Sequence, residues 1–214
     1  MGIARAALSA VPASRRSNAV ARISLDVLIV VGLIALFSVT FRTRTFYIPS
    51  VSMVPTLQVG DVLLVDEVAY RLRPPADGEV AIFTPPLHQH DADFVKRVIG
   101  TPGESVGIAN GLVYRNGSAL QEPYENQPPS YDLAIEKYGI YVNGRRLDRP
   151  GANVPERALW QAPDRIPKGF YFVLGDNRNY SDDSHVWGFV PRAAFVGRAF
   201  LIFWPLRRLS ALEK

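Results

Sequence analysis

Residues 48–70 read IPSVSMVPTLQVGDVLLVDEVAY. The second half, from Asp61 to Tyr70, is a run of aliphatic and β-branched residues entered from a glycine, the pattern of a strand leaving a turn. The first half sets Ser50 and Ser52 one residue apart between Pro49 and Pro55. In an extended segment, residues i and i+2 face the same way, so both hydroxyls are expected on one side with Val51 opposite. A serine pair beside prolines is ordinarily a polar turn element. A hydroxyl alone is a poor nucleophile and acquires chemistry only with a base in reach.

Downstream of this stretch the strand pattern recurs. GEVAIFT (78–84), DFVKRVIG (93–100), GLVYRNG (111–117), GIYVNGRRL (139–147), GFYFVLGD (169–176) and AFVGRAFLIFW (194–204) are short β-branched and aromatic runs bounded by Gly, Pro, Asn and Asp. Asn116-Gly117 and Asn143-Gly144 are dipeptides that favour tight hairpin turns. Residues 120–166 differ in texture, with many prolines and only short strand patterns. The expected fold is therefore mainly β: an antiparallel core made of residues 42–119 and 167–214, with residues 120–166 inserted as a smaller β-rich subdomain.

Upstream, Ile23–Phe41 (ISLDVLIVVGLIALFSVTF) carries no charge except Asp26. As a helix it would cover roughly 28 Å, about one hydrocarbon core. It runs into RTRTFYIP rather than a small-residue cleavage site, so it reads as a retained transmembrane anchor and not a cleaved leader. Arg5, Arg15, Arg16 and Arg22 before it outnumber Arg42 and Arg44 after it. The positive-inside rule then puts residues 1–22 in the cytoplasm as a basic tail and the body outside, on a single-pass anchor in the cell (inner) membrane. With those four arginines set aside, residues 27–214 carry 20 basic and 19 acidic groups. A body this close to neutral is not expected to bind nucleic acid. The absence of cysteine excludes disulfides, thiolate catalysis and Cys-based zinc sites.

A serine nucleophile needs a base. His88 and His90 lie in HQHDAD, which fits an exposed loop better than a zinc site, and His185 follows Asp183 in SDDSHVW. Lysine is the other known partner for a catalytic serine. Lys96 sits in FVKRVIG, where alternation would set Phe94, Lys96 and Val98 on one face and Val95, Arg97 and Ile99 on the other. Apolar neighbours strip a lysine of hydration and favour the free amine that a general base requires, whereas the guanidinium of Arg97 stays protonated.

Three segments in order, IPSVSMVPTLQVGDVLLVDEVAY, FVKRVIGTPGE and GDNRNYSDDSHVWGFVP, follow the apolar run. Together they resemble bacterial type I signal peptidase, the membrane-bound leader peptidase of the Ser/Lys dyad class, from the anchor to about Trp204. The resemblance implies that Ser52 is the nucleophile and Lys96 the general base. It implies that Ser50 joins the backbone N–H of Ser52 in an oxyanion hole. Ser181 would orient the lysine, with Asp183 and Ser184 supporting the site. It further implies exported preproteins as substrates, cleaved after small side chains, and no metal or other cofactor. Two positions depart from the commoner family pattern: Asn179 replaces a frequent aspartate and His185 a frequent arginine, so His185 is expected as a weaker, pH-sensitive partner of Asp183. The rival readings are a specialised Ser/Lys processing peptidase of an organelle or dedicated secretion system, a self-cleaving Ser/Lys repressor, and a non-catalytic membrane-anchored β-domain binding protein.

Overall fold

A computed structural model describes residues 26–34, 43–86, 93–136, 139–147 and 154–212. His88, His90 and much of the apolar run 23–41 lie outside these residues. Contacts divide the chain into two units, 1–42 and 43–214. In the first, residues 26–34 form helix α1, whose apolar side chains Val27, Leu28, Ile29, Val30, Val31, Leu33 and Ile34 are all exposed. Among the described residues no helix is long and apolar enough to cross a membrane.

The second unit is mainly β, and every strand pair in it is antiparallel. In chain order it begins with β1 (Thr43–Tyr47), β2 (Val62–Asp66), the short helix α2 (Ala69–Leu72), β3 (Val80–Phe83) and β4 (Phe94–Gly100). There follow β5 (Val106–Ala109), β6 (Leu112–Arg115), β7 (Ser118–Ala119), β8 (Leu133–Glu136), β9 (Gly139–Val142) and β10 (Arg145–Arg146). The chain closes with α3 (Glu156–Gln161), β11 (Phe170–Leu174), α4 (Ser184–Trp187), β12 (Val190–Pro191), β13 (Phe195–Trp204) and β14 (Ser210–Ala211). One sheet runs β1-β2-β13-β3-β4-β11-β12, with β14 paired to β13. The other, β10-β9-β8-β5-β6-β7, is a set of hairpins turned at Asn116-Gly117 and Asn143-Gly144, where all four residues have positive φ.

Three apolar clusters fill the unit. Met53, Leu57, Ile48 and Leu63 pack with Val95 and Ile202 beneath the serine pair. Phe83, Val98, Tyr171, Trp187 and Phe195 pack on another part of the same sheet. Ile99, Phe170 and Phe172 of the first sheet join Val106, Ile108, Leu133 and Ile140 of the second, which welds the two sheets together.

One expectation needs correction. The serine pair is not on an extended strand. Residues 50–57 bend and turn, with Val54 N–H donating to Val51 O at 3.1 Å and Leu57 N–H to Met53 O at 2.8 Å. The turn exists because it sinks Met53 and Leu57 fully into the core, which an extended path past Pro55 could not do. The end of β13 does not alternate strictly: Ile202 is buried while Phe203 and Trp204 are both exposed. Register shifts after Ala199 and Ile202 flip the phase, as bulges do.

The sheet is tied to the loop after β11 by a buried ion pair. Arg97 donates Nε–H to Asp176 Oδ1 at 2.8 Å and Nη2–H to Oδ2 at 2.7 Å, and Thr56 Oγ1 donates to the same Oδ2 at 2.5 Å. Both charges are sealed from water, and the guanidinium lies 3.7 Å from the centre of the Tyr124 ring. Removing one partner would leave a buried, unpaired charge. Arg97→Met should lower stability by about 3–5 kcal/mol, read by chemical denaturation, and Arg97→Met with Asp176→Leu should recover part of that loss.

Candidate active site

The turn after β1 presents Ser50 and Ser52, and β4 of the same sheet presents Lys96. Lys96 Nζ lies 2.7 Å from Ser52 Oγ, and the two serine hydroxyls are 3.2 Å apart. Ser52 and Lys96 are almost completely buried, at 5% and 4% exposure, while Ser50 faces solvent. They line a cavity of about 280 Å³ together with Phe46, Pro49, Phe94, Tyr180 and Asp182. This opening is mostly greasy, which fits small apolar side chains better than charged ones.

Burial pushes the Lys96 amine well below the ordinary lysine value, because an ammonium there gives up its hydration. The carboxylates of Asp183, Asp182 and Asp176 act in the opposite direction through space, but desolvation dominates. The amine lies 5.4 Å from the centre of the Phe94 ring, and both side chains line the cavity. A lysine in this setting can take a proton from the hydroxyl it touches, and a protonated one donates to it.

The loop after β11 carries the rest. Gly175 makes the close approach possible: a Cβ there would lie 2.4 Å from Ser52 O and 2.3 Å from Ser181 Oγ. Ser181 thus packs against the Ser52 main chain, and its buried hydroxyl has no hydrogen-bond partner of ordinary geometry among the described residues. Asp183 caps α4 by accepting from His185 N–H at 3.1 Å, and its other oxygen accepts from Gly175 N–H at 2.9 Å. Burial would raise this carboxyl, yet hydrogen bonds from His185 and Gly175, with the nearby imidazole and the close Ser181 hydroxyl, hold it below the usual carboxylate value. His185 Nδ1 sits 2.8 Å from Asp183 Oδ1, so the histidine does occupy the partner position expected of it. Ser184 accepts from Val173 N–H at 3.0 Å and locks α4 to β11.

Sequence reasoning missed Asn177. Its N–H donates to Ser52 O at 3.1 Å and its side-chain amide to Val51 O at 3.1 Å, so it fixes the serine turn from across the cleft. Asn179 explains its own departure from aspartate: Oδ1 accepts from Ser130 N–H at 2.8 Å while Nδ2 donates to Pro128 O at 3.0 Å. A carboxylate could make only the first of these bonds.

A family model described as "Signal peptidase, peptidase S26" matches residues 21–204. The chain is 43% identical over 178 residues to a probable signal peptidase I-2 of Synechocystis sp., covering 81% of this chain and 68% of that protein. It is 40% identical over 179 residues to a signal peptidase I of Leptolyngbya laminosa, covering 81% and 74%. A second Synechocystis protein, a probable signal peptidase I-1, is 38% identical over 195 residues, covering 88% and 85%.

A buried amine with a lowered value binds its proton less readily than the same group in the unfolded chain. Stability therefore rises with pH from the folded value of Lys96 up to the unfolded value of about 10.4. Below both, wild type carries the full desolvation penalty. Lys96→Met, of similar volume, should be at least as stable as wild type at pH 6. Its advantage should shrink as pH rises, measured by thermal denaturation across the range. An advantage that grew with pH would mean the amine is not desolvated.

Proposed function

The chain belongs to the signal peptidase family, peptidase S26, and from that premise we propose that it is a membrane-bound serine endopeptidase removing N-terminal signal peptides from exported preproteins, with Ser52 as nucleophile and Lys96 as general base. The observation that carries the residue roles is the 2.7 Å approach of a desolvated Lys96 Nζ to Ser52 Oγ. The Ser52 hydroxyl gives its proton to the neutral amine as Oγ bonds to the scissile carbonyl carbon. The oxyanion that forms accepts from Ser50 Oγ–H and from the Ser52 N–H. Collapse breaks the C–N bond, and the Lys96 ammonium returns the proton to the departing amine. Water, deprotonated by Lys96 in turn, then releases the acyl group from Ser52.

In this reading residues 23–41 span the membrane once, with residues 1–22 in the cytoplasm and the catalytic unit on the far side. The all-round exposure of apolar side chains on α1 suits a lipid environment. Phe203, Trp204, Leu206 and Leu209 form a second exposed apolar group, next to exposed Arg207, which suits the headgroup level of a bilayer. Arg208 does not share that role, since it is spent on Asp61 at 2.9 Å and on Thr56 O at 3.2 Å.

Cleavage of a model preprotein in detergent tests the chemistry. Ser52→Ala and Lys96→Ala should each abolish it, with the double variant no worse than either, because the two act as one unit. Ser50→Ala should lower kcat by roughly 10²–10³-fold, the range for one lost oxyanion donor. Clear turnover by Lys96→Ala at neutral pH would point to a different base. For the membrane surface, Phe203→Ser with Trp204→Ser should weaken binding of the chain truncated before Thr43 to anionic vesicles, measured by co-flotation. A truncated wild type that does not bind leaves the apolar run as the whole attachment.

A further inference from the structure

Between β7 and β8 the chain crosses the loop that carries Ser181 and Asp183, and its contacts with that loop outnumber what a simple connection needs. Glu122 takes both terminal nitrogens of Arg178 at 2.7 and 2.9 Å, with both side chains buried. Asn126 donates its N–H to Asp176 O at 3.0 Å and its amide to Asn177 Oδ1 at 3.3 Å. Pro128 O and Ser130 N–H take the two ends of the Asn179 amide. Tyr131 ends the series: its ring lies on the His185 imidazole, with centroids 4.3 Å apart and planes within 16°.

We propose that residues 122–131 are a strap that positions the loop bearing Ser181 and Asp183 for the reaction, and that Tyr131 is the positioning residue through which the strap reaches Asp183. The inference rests on the peptidase reading above. The route is short. Asp183 is an ionised acceptor, so the ring nitrogen that meets it, Nδ1, carries the proton. Tyr131 lies flat on the imidazole and fixes the ring plane that aims this proton at Oδ1. Oδ2 is then free to hold Gly175 N–H, the residue wedged between Ser181 and the Ser52 carbonyl. Tyr131 is not among the residues that line the cavity of Ser52 and Lys96.

The charged groups around this relay fix the direction of its effect. On its own element His185 faces Asp183, with Asp182 just before the helix, and Lys96 of β4 feels both carboxylates. From the strap it faces Tyr131, which in turn feels Asp183, Arg178, Glu122 and Glu125. The imidazole N–H offsets part of the Asp183 charge. When the ring is released, Asp183 acts more strongly on Lys96 and holds its proton to higher pH.

The test uses the full chain in detergent and a model preprotein. Tyr131→Leu should lower kcat by up to about 10²-fold, the cost of a small misplacement of catalytic groups, with KM unchanged. The acid limb of its kcat/KM profile should move to higher pH. Tyr131→Phe, which keeps the ring, should restore both. Combining Tyr131→Leu with His185→Asn should cost no more than the worse single change, since both act on one contact. If Tyr131→Leu does not fold, Tyr131→Met fills the space without a planar ring and carries the same expectations. An unmoved pH limb, or losses that add in full, overturns the proposal. A ¹⁵N imidazole spectrum reads the relay without substrate: His185 should show the Nδ1–H form in wild type and lose it in Tyr131→Leu. An unchanged His185 signal in Tyr131→Leu overturns the strap's role whatever the enzyme does. A wild type that shows the Nδ1–H form yet cleaves no preprotein sinks the peptidase reading alone.

Discussion

Taking one lysine amine out of water sets the terms for the rest of this site. In solution Lys96 would be an ammonium with nothing to offer a hydroxyl but a donated hydrogen bond. Walled in by Phe94, Ser52 and the loop after β11, it pays a hydration penalty that three nearby carboxylates do not repay. Burial thus weakens the amine's hold on a proton while the fold keeps it in contact with the Ser52 hydroxyl.

The next residue on the strand shows what the alternative looks like. Arg97 is as deeply buried as Lys96, yet it meets a carboxylate with two short hydrogen bonds and an aromatic face, and nothing about it is free to react. Neighbouring cations on one strand therefore do opposite work because alternation sends them to opposite faces. One face stabilises the loop after β11 through Asp176. The other turns the Lys96 amine toward Ser52 Oγ, in a cavity that Tyr180 and Asp182 of that loop help to line. The proposed catalytic pair and the structural ion pair are the two sides of β4.

Much of this was legible in the chain, and what was not has a common cause. Strand runs such as GEVAIFT, DFVKRVIG and GFYFVLGD declare themselves by β-branched composition and turn residues, and β3, β4 and β11 fall on them. The serine pair, the lysine and the GDNRNYSDDSH segment stand out by motif, and the apolar neighbours of Lys96 foretell its desolvation. The distances among them do not follow from spacing, and neither does the turn at Ser50–Leu57, which depends on the core cavity that Met53 and Leu57 fill. Partners far apart in sequence were invisible: Arg97 meets Asp176 across 79 residues, and Glu122 meets Arg178 across 56. Tyr131 gives no local sign of stacking on His185, and β5 and β8 were too short and too plain to announce themselves against the proline-rich background.

The central claim is that the folded chain lowers the affinity of the Lys96 amine for its proton, and it can be observed without substrate or turnover. The chain has four lysines, Lys96, Lys137, Lys168 and Lys214, so the side-chain amines of a ¹⁵N-lysine sample can be followed individually through a pH titration by NMR. The account predicts that one amine titrates well below the ordinary lysine value of about 10.4 and that its signal is missing in Lys96→Met. Four amines titrating together near that value would contradict it, because a Lys96 protonated at neutral pH cannot accept the Ser52 proton.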